Sequence, residues 1–332
     1  MFATNDGPAR KDSALITELD EELHAPGTSP HWQESYYFNW SSDDGRSFGL
    51  TRIGLNRAAG KADAVVVMLQ DGKPEFVYAA IGKALPPNVR SMSVGDGLTV
   101  GALTYTMVEP LGAWRIQLRG RNHLDLLWRA FTPAVDFHEG FPGAEDEVQR
   151  HFEQSGRVEG EVVVNHRGGR ITGLGQRDKS WGVRDWNGVR GWEWIAGQFG
   201  EDLSFNATLT DVNGTQTPVG FVFDNGTTHK VRTVDVEYGG ADPHRPQTAL
   251  IHVETTDGGT YVITGRARAR APLFKSGLFI EETQFAFECR TGDDVREGLG
   301  VVEHAYHVGA AGLAVRLPRL LQLAAMALRN SR

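Results

Sequence analysis

The feature that most constrains the fold of this 332-residue chain is a succession of short apolar runs separated by tight-turn signals. Asp-Gly or Asn-Gly dipeptides, which favour the two-residue turns of β-hairpins, stand at residues 71–72, 225–226 and 257–258. The chain also has 40 glycines and few long segments with the 3.6-residue period of a helix. These observations predict a mainly β protein made of sandwiches or barrels.

The length of the chain exceeds that of a typical single hydrophobic core, so we expect two domains. We predict a polar lead-in at residues 1–30, a first β-domain at 31–135 and a crossover at 136–154. A second β-domain follows at 155–310, and a basic amphipathic helix at 311–332.

Three segments have helical features. A short helix is predicted for residues 13–23, and residues 123–137 could form one or two helical turns before a proline. Residues 313–329 form the one convincing longer helix, with a broad apolar side, three arginines and no acid. We expect this helix to dock on its own domain. The alternative is a peripheral membrane contact, because basic amphipathic helices also bind anionic lipid.

Composition argues against several classes of protein. The formal net charge is −8, whereas general nucleic-acid binders need a basic face, so we expect no nucleic-acid partner. The single cysteine, Cys289, allows no intrachain disulfide and no cysteine-based zinc site. The first residues carry acids without a continuous apolar run, and no segment approaches the length of a spanning helix. A cytoplasmic protein is therefore expected.

Common catalytic and cofactor motifs are missing from the sequence. There is no nucleophile elbow, no P-loop and no H-E-x-x-H, and the Gly173-x-Gly175 pair lacks the third glycine of a dinucleotide-binding loop. The 11 histidines are scattered along the chain. We therefore predict a protein without a metal or a nucleotide cofactor.

One stretch, residues 173–194, concentrates tryptophans with paired arginines and aspartates. It contains four of the eight tryptophans and two Arg-Asp dipeptides. Buried Arg-Asp pairs require hydrogen-bonded partners, and tryptophan is a large apolar side chain with one donor. The stretch is either a polar network that closes a core or a pocket wall whose acids face a ligand.

Near the start of the chain, alternation along residues 33–40 places Glu34, Tyr36, Phe38 and Trp40 on one face of a strand. If that face lines a barrel, Glu34 points inward. If the strand begins at this point, Glu34 lies at the rim, which we favour.

The pattern G-x-G-x-R-D-x-S-W-G-x-R-D-W at residues 173–186 resembles the lipocalin-like hydratase superfamily, which includes hydroxyneurosporene synthase and fungal decalin-forming pericyclases. The resemblance extends to residues 32–40, 151–162 and 300–308. It implies two consecutive calycin-like β-barrel or β-sandwich domains with an apolar ligand at or near their junction. It also implies chemistry without a metal or redox cofactor.

Only some of the functional residues of the carotenoid hydratases have a match in this chain. Carotenoid hydratases of this type have histidine in a D-H-S-W motif, where this chain has Lys179, and the motif tryptophan matches Trp181. Those enzymes also use a tyrosine and an aspartate on the next strand, and the matching region here offers Asn206 and Asp211 without a clear equivalent. Lys179 either orients a substrate oxygen or serves the structure.

We expect a cofactor-independent enzyme that hydrates, dehydrates, isomerises or cyclises a terpenoid, steroid or polyketide. The alternative is a non-catalytic carrier of a hydrophobic ligand. An aspartate would act as acid or base, or as partner of an arginine, and tryptophans would form an apolar, cation-stabilising wall. The catalytic candidates are Arg177, Asp178, Lys179, Arg184 and Asp185. The substrate-binding candidates are Glu34, Tyr36, Trp40, Trp181, Trp186, Trp192, Trp194, Asn206 and Glu303.

Overall fold

The computed structural model describes residues 16–26, 28–86, 89, 94–137, 150–183, 190–212, 215–275 and 277–330. Within these residues the chain forms 19 strands, one single-turn 3-10 helix at Glu18–Glu21 and one α-helix. The first eleven strands are β1 (Trp32–Ser42), β2 (Ser47–Asn56), β3 (Lys61–Gln70), β4 (Lys73–Ala84), β5 (Leu98–Val100), β6 (Leu103–Glu109), β7 (Ala113–Leu118), β8 (His123–Ala130), β9 (Val135–Asp136), β10 (Arg150–Val164) and β11 (Arg167–Val183). The others are β12 (Gly191–Gln198), β13 (Leu203–Val212), β14 (Thr215–Asp224), β15 (Thr227–Gly239), β16 (Thr248–Thr255), β17 (Thr260–Lys275), β18 (Leu278–Thr291) and β19 (Asp294–His307), followed by helix α1 (Ala310–Asn330).

The first eleven strands form one nearly closed antiparallel sheet. Its order is β4-β3-β2-β1-β11-β10-β8-β7-β6-β5, and the short β9 pairs with β10. Alternation along β1 places Tyr36, Phe38 and Trp40 in the core of this sheet, as predicted. Glu34 lies on the same face and is fully buried, so it points inward and is not an exposed rim residue.

The remaining eight strands form a closed antiparallel barrel in sequence order, because β19 returns to pair with β12. Its interior is filled by side chains such as Ile195, Phe205, Ile251 and Phe285. A further apolar cluster packs the outer faces of the two barrels against each other and includes Tyr37, Leu50, Trp194 and Val301. The prediction of a mainly β chain with two barrel-like sheets and one longer helix is confirmed.

The change of sheet does not fall where the sequence suggested. Strands β10 and β11 pair with β8 and β1, so residues 155–183, predicted for the second domain, complete the first sheet. The two strands form one long hairpin, whose turn at Asn165 and His166 adopts positive φ. The second barrel begins at Gly191, after residues 184–189, which lie outside the described part of the chain. The second sheet thus begins at Gly191 and not at residue 155, because the hairpin of β10 and β11 belongs to the first sheet.

Two helical predictions are corrected. Residues 16–26 contain only the 3-10 turn, while residues 13–15 lie outside the described part. Residues 123–130 form strand β8, because Leu124, Leu126 and Trp128 point alternately into the first core. Among the described helices, none has the length and apolar character needed to span a membrane.

Candidate active site between the two barrels

The outer face of the first sheet carries a row of polar side chains, one on each of four neighbouring strands. Strand registers place Arg52 beside Tyr37, Tyr37 beside Asp178, and Asp178 beside Glu153. Since β1 turns Tyr36 and Phe38 inward, the intervening Tyr37 must point outward. The row therefore faces the second barrel.

The second barrel presents a matching row on its outer face. Glu282 of β18 lies beside Glu303 of β19, which lies beside Trp194 of β12, which lies beside Thr208 of β13. Their neighbours along these strands, such as Phe205 and Phe285, fill the barrel interior. The two rows thus come from eight different strands.

Direct contacts join the two rows. The Tyr37 hydroxyl lies 3.1 and 3.2 Å from the two carboxylate oxygens of Glu282, and Trp194 Nε1 donates to Glu153 Oε1 at 2.8 Å. The rings of Tyr37 and Trp194 meet edge to face with centroids 5.8 Å apart. These four side chains are buried, whereas Asp178 is half-buried. The two rows form one polar cluster between the barrels. Asp178, the more exposed member, lies at the edge of this cluster.

Glu153 is the acid at the centre of this cluster. Burial raises its pKa from 4.5 to about 8, although N–H donors from Gln176 at 2.8 Å and from Trp194 oppose the shift. His151 Nε2 lies 2.8 Å from Glu153 Oε1. At neutral pH the Glu153 side chain is therefore mostly a protonated carboxyl group, able to give up a proton.

Glu282 and Glu303 form a second acidic unit. Burial raises the pKa of both carboxyl groups, and the nearby charge of Glu303 raises that of Glu282 further. The two side chains are hydrogen-bonded to each other, and Trp192 Nε1 donates to Glu303. Two adjacent carboxylates cannot both ionise without repulsion, so the pair retains a proton near neutrality.

Strand β13 adds a line of buried polar groups next to Trp194. Within the described part of the chain, no hydrogen-bond partner is found for the side-chain polar atoms of Ser204, Asn206, Thr208 and Thr210. These residues alternate with the apolar interior positions, so all four point out of the barrel. Leaving a buried polar group unpaired costs roughly 1–3 kcal/mol. Polar atoms of a bound molecule could satisfy this line.

His151, Glu153 and Asp178 are of residue types that commonly bind metal ions. Ligand atoms of His151, Glu153 and Asp178 lie within 4.8 Å of one another. However, both Glu153 oxygens already accept N–H hydrogen bonds, and its raised pKa keeps the proton that a metal would have to displace. These bonds occupy the Glu153 oxygens that a metal would need, and a metal-free site stays a prediction.

Lys179 and Arg177 lie on the opposite face of β11 from Asp178 and point into the first sheet. Lys179 Nζ donates to the carbonyl oxygens of Asp20 at 2.7 Å and Glu22 at 2.6 Å, and lies 2.9 Å from Glu34 Oε1. Both Lys179 and Glu34 are fully buried.

The Arg177 guanidinium makes a bidentate contact with the buried carboxylate of Glu21 and also donates a hydrogen bond to Gln154. Together with Lys179 it ties residues 20–22 across the mouth of the first barrel. The hydrogen-bonding capacity of both cations is directed at protein groups, which favours the structural reading of this half of the motif.

The other predicted residues divide between the two locations. Tyr36 and Trp40 are in the first core, and Trp181 stacks on His24 at the mouth of that barrel, with ring centroids 4.0 Å apart. The residues that do reach the junction are Asp178, Trp192, Trp194, Asn206 and Glu303. Outside the described residues lie Arg184, Asp185 and Trp186.

Sequence reasoning missed Tyr37, His151, Glu153 and Glu282. Glu153 is the one acid in the segment HFEQSG of β10, and Glu282 follows Glu281 in the otherwise uncharged segment LFIEETQF of β18, so acids within apolar runs were the available signal. Tyr37 could have been found as the residue on the opposite face from Tyr36 and Phe38.

A cavity of about 1160 Å³ opens beside the cluster. Its wall includes Gln198, whose Nε2 lies 3.4 Å from Gln176 Oε1, and Gln176 in turn donates to Glu153. Its lining mixes apolar side chains such as Phe199 and Phe287 with charged ones such as Arg266. The cavity is thus lined by both apolar and charged side chains.

Comparison with known proteins gives a family. A family profile described as a domain of unknown function, DUF7064, matches residues 17–308. The chain belongs to the DUF7064 family. No curated protein matches it.

Solved structures show that this DUF7064 chain shares its fold with proteins of low sequence identity. Kievitone hydratase from Nectria haematococca has a TM-score of 0.61 at 16% identity, over 88% of this chain and 93% of its own. CghA with Sch210972 has a TM-score of 0.63 at 12% identity, over 85% and 89%. A Nitrosomonas europaea protein assigned as AttH has a TM-score of 0.64 at 14% identity, over 91% and 100%. The lipocalin-like fold that the resemblance implied is confirmed.

Proposed function

We propose that this protein is an enzyme that transfers protons to and from a hydrophobic small molecule at the junction of the two barrels. The proposal rests on the burial of Glu153. This acid is fully buried, its pKa is raised to about 8, and it faces Trp194 and Asp178. Buried acids with raised pKa values are typical of general acid catalysts. The fold shared with a protein named kievitone hydratase supports the same class of reaction.

In this proposal Glu153 donates its proton to an alkene carbon or to a carbonyl oxygen of the substrate. Asp178, half-buried at the edge of the cluster, accepts a proton from water or from the substrate. The indole faces of Trp192 and Trp194 stabilise the cation that protonation creates. The outcome is hydration, dehydration, isomerisation or cyclisation.

The β13 line gives the substrate an orientation. A hydroxyl or carbonyl group of a terpenoid, steroid or polyketide would bond to Asn206 and Thr208, while its hydrocarbon part would lie against Trp194. His151 would return a proton to Glu153 after each turnover. Every step uses side chains of this chain and water.

The test begins with native mass spectrometry of the purified protein, to identify the class of a retained ligand. Alkene and hydroxylated compounds of that class are then incubated with the enzyme in heavy water. We expect deuterium incorporation, with or without the mass of one added water. Glu153→Gln should slow this reaction at least a hundredfold, because the variant has no acidic proton, and Asp178→Asn should also abolish turnover.

The matched control is Glu193→Gln. Glu193 is another acid with a burial-raised pKa, but it lies on the opposite face of β12 from Trp194, where Tyr238 donates to it at 2.9 Å. This variant should retain activity. A retained ligand that never changes would indicate a carrier, and undiminished turnover by Glu153→Gln would remove Glu153 from the mechanism.

A further inference from the structure

Helix α1 exposes an apolar side in addition to the side that docks on the protein. Leu317, Leu321 and Leu328 lie on one side of it and are 42%, 58% and 68% exposed. Between them on this outer side lie Ala324 and Ala325, both also exposed. A surface helix normally buries its apolar stripe and exposes its charges.

The inner side of the helix carries a charge. Arg316 is buried, pairs with Asp242 and donates to the Tyr306 hydroxyl at 2.7 Å. Leu323 is buried there too, and Met326 and Ala327 pack against the same apolar cluster. An arginine thus helps to dock the helix, and a line of leucines faces the solvent. Apolar surface arranged in this way indicates a contact with something outside the chain.

A basic groove lies at the C-terminal end of this helix. Its volume is about 700 Å³, and its lining includes Lys83, Arg119, Arg121, Arg329 and His166. Among the described residues that line it there is no acid, although the chain as a whole has a net charge of −8. An acid does stand at the rim, where Asn165 bonds Glu75.

The groove and the leucine line are continuous. Asn330, the last residue of α1, lines the groove and is fixed by bonds to the Val77 carbonyl at 2.9 Å and to Asn122 at 3.4 Å. Arg329 precedes it on the exposed side of the helix. One surface therefore presents apolar side chains along the helix and cations at its end.

We propose that this surface docks on a membrane that contains anionic lipid. The leucines would enter the boundary between headgroups and acyl chains, and the groove would receive lipid phosphate groups. A second copy of the chain fits less well, because α1 contains no acid and would bring only leucines and arginines to the groove. The proposal does not depend on the proposed enzymatic function.

The experiment is co-sedimentation of the full chain with vesicles of phosphatidylcholine alone and of equal parts phosphatidylcholine and phosphatidylglycerol. We expect binding to the anionic vesicles, weakened by high salt. The double variant Leu317→Gln/Leu321→Gln, which alters only exposed side chains, should weaken binding on the order of tenfold or more. Arg119→Gln/Arg329→Gln should do the same, since each cation near an anionic surface contributes about 1 kcal/mol.

The matched controls are Leu19→Gln, which changes an exposed leucine elsewhere, and Arg232→Gln/Arg290→Gln, which removes the same charge from the second barrel. Both should bind as the unaltered protein does. Absence of vesicle binding, or binding that neither test variant reduces, would overturn the proposal. The proposal would also be overturned if the protein did not bind vesicles but formed a dimer in solution that the leucine variant dissociates.

Discussion

Neighbouring residues of β11 have different surroundings because successive side chains of a strand point to opposite faces of the sheet. Arg177 and Lys179 enter the first barrel and hold residues 20–22, while Asp178 between them faces the second barrel. The sequence shows this alternation, but not which face meets a second barrel. Prediction therefore found Asp178 and also selected two cations that the geometry assigns to the closure of the barrel mouth.

Removing the Lys179 ammonium should destabilise the protein without touching its chemistry. Lys179→Met leaves the buried Glu34 carboxylate without its cation, so we expect the free energy of unfolding to fall by roughly 3–5 kcal/mol. Lys179→Met/Glu34→Gln removes both charges and should recover much of the loss. Denaturant unfolding measures both effects. A double variant that is folded but inactive would instead place Lys179 in the reaction.

Among the secondary-structure elements, the turns were easier to predict than the face of each strand that is buried. The Asp-Gly and Asn-Gly signals at residues 71–72 and 225–226 lie in hairpin turns with positive φ at both positions. The run at residues 123–130 was ambiguous, because a short apolar segment fits either period until its partners are known. On β13, Asn206 and Asp211 were singled out through the family resemblance, and the unpartnered polar side chains of this strand become visible only when burial is known.

Asn206 on β13 separates stability from ligand binding. Its amide is fully buried and, within the described residues, makes no hydrogen bond, so Asn206→Leu should leave the free energy of unfolding unchanged or raise it by about 1–3 kcal/mol. The same change should abolish retention of any ligand that native mass spectrometry detects on the unaltered protein. A marked loss of stability would show that the amide already has a partner inside the protein.

At the scale of the whole molecule, the site exists only because two barrels pack face to face. Tyr37, Glu153, Trp194 and Glu282 are distant in sequence and belong to four strands. Local patterns predict a mainly β chain, but they predict neither the registers that align the two rows nor the place of the β10–β11 hairpin in the first sheet. The fold class was therefore within reach of sequence reasoning, and most of the cluster was not.

The proposed mechanism requires that a proton remain on Glu153 near neutral pH. Burial raises this pKa to about 8, so the proton is bound more tightly in the folded than in the unfolded chain, and its contribution to stability is lost as the pH rises from about 4.5 to 8. Infrared difference spectra of the protein and of Glu153→Gln follow the carbonyl band of protonated carboxyl groups across this range. We predict a band that disappears with a midpoint near pH 8 and is missing in the variant. A Glu153 band that titrates near its ordinary pKa of 4.5 would contradict the account.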